Sequence, residues 1–279
     1  MTKAIKVLTL IDVVFLLMLM LSGSVSGVLS DVIYTAAFLV PFAIGFSCSR
    51  GLKLEREEER GIAEHPDRFL TLSRERALLF IPTVAPTVTA VFILAALTSL
   101  VLTALGFSNT EPPDRSFIEM LIIHALAPAV LEEMLFRYMP MKLLLPYSPR
   151  LCVLISALYF ALIHANLFQM PYAFAAGIIF MLIDVALESV WPSLILHLVN
   201  NLLSVVWMKY CLTSGAMAAF AVILIAAAAV SAVVMSRHVG EYRDCAKRAL
   251  IKGDRCEFSN APIALAVLSL YIALMNLFT

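Results

Sequence analysis

The sequence predicts an all-α fold, a polytopic bundle of about eight or nine transmembrane helices, and three observations predict it. Hydrophobic residues make up 62% of the chain and charged residues only 14%, where a soluble domain runs nearer half and a quarter. The apolar residues gather in runs of about 20, the length a helix needs to cross the hydrocarbon of a bilayer. The charges gather between those runs, and the two most basic stretches fall where alternating spans put them on one side. Formal net charge is zero, so no basic field points to nucleic acid. Five cysteines lack CxxC or zinc-knuckle spacing and read as packing residues or free thiols.

Taken in order, the candidate spans are 5–22, 28–48, 78–106, 117–144, 151–168, 171–188, 191–208, 215–236 and 260–278. The first has the outline of a signal peptide, with Lys3 and Lys6 before an apolar run and SGSVSG after it. Asp12 interrupts that run, and we read it as an uncleaved first helix. Segment 49–76 holds seven arginines and lysines, and 237–259 holds six. Both are expected in the cytosol, as is the N-terminus. The acidic, Pro-rich loop 108–116 then lies outside, and Lys209 is the one exception to the pattern. EREEER within 49–76 reads as a solvated helix with charge pairs four apart. No repeat and no second domain interrupts residues 1–279, which read as one membrane domain of a prokaryotic plasma membrane with a core at about 115–210.

The informative stretch is LAPAVLEEMLFRYMP, residues 126–140. A charged side chain at the centre of a bilayer costs at least a few kcal/mol, yet Glu132, Glu133 and Arg137 fall together on an apolar span. Glu133 and Arg137 are four apart and share a helix face. Glu132 is turned about 100° away and needs another partner. Pro128, four residues before Glu132, frees a backbone carbonyl. On the next span His164 follows Phe160 by four, so the ring can pack beneath the imidazole. On span 191–208 His197 and Asn201 share a face, while Asn200 points elsewhere. Counted from the cytoplasmic ends at 1.5 Å per residue, Glu132 lies about 15–18 Å deep, His164 near 20 Å and His197 near 10 Å. These groups can meet in one cavity. Asp184 and Glu188 read as interfacial, Asn166 as a loop group, and His124 lies too far along the helix to join.

Such a set admits three chemistries. In the first, Glu132 takes a proton from a water also held by His164, and His197 and Asn201 donate to the developing oxyanion. Arg137 orients the carboxylates. In the second, Glu132, His164 and His197 hold zinc with an open position. In the third, the carboxylates and imidazoles form a proton relay in a transporter. No Ser-His-Asp set, GxSxG, HExxH or nucleotide-binding glycine pattern is present.

EEMLFR at 132–137, FALIH at 160–164 and HLVNN from 197 follow one another at about 30-residue intervals. In this the sequence resembles the CPBP family of intramembrane proteases (CAAX proteases and bacteriocin-processing enzymes, or Abi family), whose pattern is EExxxR, FxxxH and HxxxN or HxxxD on separate spans. The resemblance covers about 115–210. It implies an intramembrane endopeptidase with Glu132 as general base, His164 as its partner on the water, and His197 and Asn201 as the oxyanion hole. Glu133, Arg137 and Phe160 are then supporting residues. The family has been described both as metalloproteases and as metal-free glutamate proteases. We favour the metal-free form, which needs no cofactor. The implied partner is a membrane-associated peptide or protein, prenylated in some relatives, reached from the cytosol or through the lipid bilayer. A catalytically silent immunity or scaffold protein, and a proton-coupled transporter, are the competing readings.

Overall fold

A computed structural model describes residues 2–26, 28–60, 68–108, 115–211 and 213–251. Among these residues the secondary structure is helical, with no strand. Six of the described stretches are long and apolar enough to cross a membrane, and the protein is an integral membrane protein. The expected last span, 260–278, and residues 109–114 of the acidic loop lie outside the described residues.

Helices α1 (Thr2–Gly23) and α2 (Val28–Arg60) form an antiparallel pair. Gly45 lets them close, because a Cβ there would meet the Ile11 side chain and Met139. α2 continues past its apolar part to Arg60, as the charge pattern of that segment predicts. A short helix, α3 (Arg74–Phe80), leads through a 3-10 turn into α4 (Val84–Ala104).

The span expected as one helix over 117–144 is segmented. α5 (Phe117–Met120), α6 (Ala127–Glu133) and α7 (Met139–Leu143) are joined by π-helical turns at Leu121–Leu126 and Met134–Tyr138. Ser116 opens α5 with a capping box to Glu119. Pro128 and Pro140 sit just after the two π turns. Each lacks the N–H that an α-helix needs, so each ladder is broken where it stands.

The expected helix over 151–168 is also shorter. α8 (Pro149–Leu162) has 14 residues, about 21 Å of rise and less than a full crossing. The chain reverses through 163–169, with Ala165 at a left-handed φ of 45°, and returns as α9 (Met170–Leu187). Irregular backbone at such depth is tolerated only where it is buried in protein or lines a cavity. The α8–α9 contact is close at Gly177, where a Cβ would stand 2.9 Å from the Cα of Ala157. α10 (Trp191–Tyr210) then packs against α6 and the Leu121–Leu126 turn, and α11 (Ser214–Ser236) lies outermost against α4 with no buried residue. The exposed Val222, Ile223 and Ile225 of α11 suit a lipid-facing position.

One end of the bundle brings described parts of both basic segments together. Arg76 pairs with Glu188 at 3.0 Å and donates to the Leu187 carbonyl. Trp191 Nε1 donates to the Leu70 carbonyl at 2.8 Å. The last described helix, α12 (Val239–Ile251), joins the same end through Tyr242, whose hydroxyl donates to the Leu79 carbonyl. The described residues 68–80 and α12 are thus brought together at one end.

Candidate active site

The site forms where α6, the π turn after it, α8 and α10 meet. Its centre is a chain of ionisable groups. Arg137 and Glu133 are both fully buried, with Nε and Oε2 3.3 Å apart. The other Glu133 oxygen, Oε1, accepts from His197 Nδ1 at 2.7 Å. A carboxylate oxygen accepts, so the Nδ1 proton belongs to His197 and Nε2 is the nitrogen left to face the rest of the site. That nitrogen stands 3.9 Å from Glu132 Oε2. Glu132 and Glu133, turned apart on one helix, thus meet the same imidazole from two sides.

Arg137 is held by groups from outside its own motif. Pro140 has no N–H to give to the carbonyl of Phe136, four residues earlier. That carbonyl instead accepts the Ser156 hydroxyl of α8 and Arg137 Nη1, the latter at 3.1 Å. Ser156 also accepts from Arg137 Nη1 at 3.2 Å. The guanidinium lies over the Phe160 ring, 4.3 Å from its centroid, a favourable stacking of cation on aromatic face.

His164 is placed by the end of α8 rather than within a helix, where the sequence led us to expect it. The last-turn carbonyls of a helix lack partners, and that of Phe160 accepts His164 Nδ1–H at 2.8 Å. A carbonyl can only accept, so the neutral ring carries its proton on Nδ1 and offers the Nε2 lone pair. Phe160 ties the two imidazoles together, its centroid 5.0 Å from His164 and 5.6 Å from His197, T-shaped to each. The motif residue expected to support one histidine therefore touches both, and the arginine as well.

Asn201 stands one turn beyond His197, and its Oδ1 accepts from Asn200 Nδ2 at 3.4 Å. Its own Nδ2 is left as the donor. Asn166 is a loop group as expected, its Oδ1 accepting from Phe168 N at 2.8 Å. Asp184, near the end of α9, is fully buried, and its Oδ1 accepts from Ser193 N at 2.9 Å. Glu188 is half-buried and pairs with Arg76. Ser156, Ser193, Asp184 and Pro140 were not among the expected site residues. Among the described residues no three His, Cys, Asp or Glu side chains gather closely enough to hold a metal ion. The zinc set Glu132, His164 and His197 is not assembled as ligands here.

Residues 114–203, about a third of the chain, match the family model described as Rce1-like: type II CAAX prenyl endopeptidase Rce1-like. The match spans α5 to the middle of α10 and contains all three motifs. It agrees with the resemblance to CPBP (CAAX) proteases, and at family level it implies a CAAX-type endopeptidase of the membrane. No curated protein and no solved structure matches the chain.

Proposed function

We propose that this protein is an intramembrane endopeptidase that hydrolyses a peptide bond with water activated by Glu132. The observation that supports it best is the Arg137–Glu133–His197 chain closing on Glu132. A second carboxylate so nearly buried is costly unless it is paired or does chemistry.

In this reading the attacking water donates one proton to Glu132 and the other to His164 Nε2, the lone pair left by the bond to Phe160. Its oxygen is then free to attack the scissile carbonyl. Glu132 accepts the proton as the C–O bond forms and passes it to the leaving amine. His197, with Nδ1 on Glu133 and carrying a second proton on Nε2, donates to the developing oxyanion beside Asn201 Nδ2. Each such donor contributes about 3–4 kcal/mol at the transition state. With His197 in that form, two carboxylates, one guanidinium and one imidazolium sum to zero charge, the condition that membrane burial favours. The substrate is a membrane-associated peptide or protein, prenylated near its cleavage site, entering from the cytosol or laterally. The basic end of the bundle faces the cytosol of a prokaryotic plasma membrane.

The test is cleavage of a farnesylated CaaX peptide by the purified protein in lipid vesicles. Glu132→Gln and His164→Ala are each expected to abolish cleavage while the folded yield is unchanged. Full activity in either variant would overturn the assignment. Loss of cleavage on chelation and its return with zinc would replace the general base by a metal-bound water.

A further inference from the structure

The register of His197 against Glu133 has to be set by something, because the two residues lie on different helices and no loop joins α6 to α10 directly. We propose that Asp184 is a positioning residue for His197; this rests on the hydrolase reading, in which His197 is a transition-state donor.

α10 starts with unpaired N–H groups, as every helix does. Its N-cap residue, Val190, has no side chain able to accept from them. The acceptor comes from α9: Asp184 Oδ1 takes the Ser193 N–H at 2.9 Å. The Asp184 backbone takes part too, its carbonyl accepting from Ser189 N at 3.0 Å. Ser193 turns its hydroxyl back to the Val190 carbonyl at 3.0 Å. Both Asp184 bonds bridge the reversal at Glu188, which has a left-handed φ of 49°. The first turn of α10 is therefore clasped to the end of α9.

Ser193 and His197 are four apart and share a face. Fixing the Ser193 amide fixes how far α10 is rotated and advanced, and so where the His197 ring meets Glu133. Asp184 and Ser193 are both fully buried, so water cannot replace the bond. A carboxylate at a helix N-terminus also suits the helix dipole. Arg137 and Ser156 hold the Glu133 side of the contact, and Asp184 holds the His197 side.

The contact can be read directly, because the chain has only five histidines: His65, His124, His164, His197 and His238. In protein labelled with 15N-histidine, the His197 ring signals are assigned by their loss in His197→Gln. Asp184→Ala is expected to shift the His197 ring nitrogens, with those of His65, His124 and His238 unmoved. Asp184→Asn, which keeps the Oδ1 acceptor, is expected to leave them in place. In the cleavage assay Asp184→Ala is expected to lower kcat at least about tenfold, part of the loss from removing an oxyanion donor outright. KM should not change, and Asp184→Asn should restore most of kcat. His197 signals unmoved in folded Asp184→Ala would overturn the proposal whether or not the protein cleaves anything. So would an Asn variant as impaired as the Ala variant. Absence of cleavage by the wild-type protein would instead sink the hydrolase reading, and the ring signals would still decide the positioning.

Discussion

Ser156→Ala is the substitution that most directly tests how the buried arginine is held. The hydroxyl makes two bonds inside the bundle, donating to the Phe136 carbonyl and accepting from Arg137 Nη1 at 3.2 Å. A bond to a charged group contributes about 1.5–3 kcal/mol and a neutral one about 1 kcal/mol. The Phe136 carbonyl keeps one partner after the change, because Arg137 Nη1 still reaches it at 3.1 Å. Only the charged bond is therefore lost without replacement, and the expected loss of stability is about 2 kcal/mol. Pro140→Ala works on the same carbonyl from the other side. It restores an N–H four residues after Phe136, which lets the ordinary helical bond form and draws the carbonyl away from Ser156 and Arg137.

The two changes together separate stability from activity. In the double variant Pro140→Ala supplies Phe136 with a donor, so unfolding of the protein in detergent should recover part of the loss seen in Ser156→Ala. Cleavage should not recover, because an α-helical turn in place of the π turn at Met134–Tyr138 moves Arg137 relative to Glu133. If the double variant regains both stability and cleavage, the π turn is not what aims the arginine. If Ser156→Ala alone changes neither quantity, the hydroxyl is a bystander and this account of Arg137 is wrong.

Two further outcomes are expected. Gly177→Ala places a Cβ 2.9 Å from backbone at Ala157, so α8 and α9 must separate. Overpacking of this kind costs about 1–3 kcal/mol, measured by thermal unfolding, and cleavage should fall further than stability because His164 sits where the two helices reverse. Removing one partner of a buried ion pair costs about 3–5 kcal/mol, so Glu133→Gln and Arg137→Met should each be strongly destabilising. Together they should cost at least about 1 kcal/mol less than their sum, read in the same unfolding assay, whereas strict additivity would show that the pair at 3.3 Å is not coupled.

Much of the site was legible because its members sit four apart on helices. Glu133 with Arg137, Phe160 with His164 and His197 with Asn201 are neighbours by helical geometry alone, and each was expected on an apolar span where charge needs a reason. What was not legible depended on contacts between helices. Ser156 is an ordinary serine in an apolar run until Pro140, on another helix, leaves a carbonyl for it. Asp184 lies near the end of its span, where a carboxylate reads as interfacial, and only the start of α10 packed beside it makes it a buried cap. The end of α8 at Leu162 was missed for a local reason. No Gly or Pro marks it, and an alanine adopts the left-handed conformation that glycine usually takes there.

Phe160 explains why such a polar cluster can exist among apolar helices at all. A guanidinium taken from water loses several kcal/mol of solvation, and a single carboxylate 3.3 Å away does not replace all of it. The Phe160 face supplies a second anionic surface to Arg137, since the ring quadrupole is negative there. Phe160 also sets its ring nearly perpendicular to both imidazoles, in the T-shaped arrangement that aromatic pairs favour. Its backbone carbonyl fixes the proton of His164. One residue thus serves the cation through its face, the two histidines through T-shaped ring contacts and one of them again through its main chain. A leucine of similar bulk would fill the space and keep the main-chain carbonyl, but it would offer no aromatic ring to the arginine or to the histidines. The motif's aromatic position is chemical as much as steric: it lets one arginine and two histidines share a few ångströms of membrane interior.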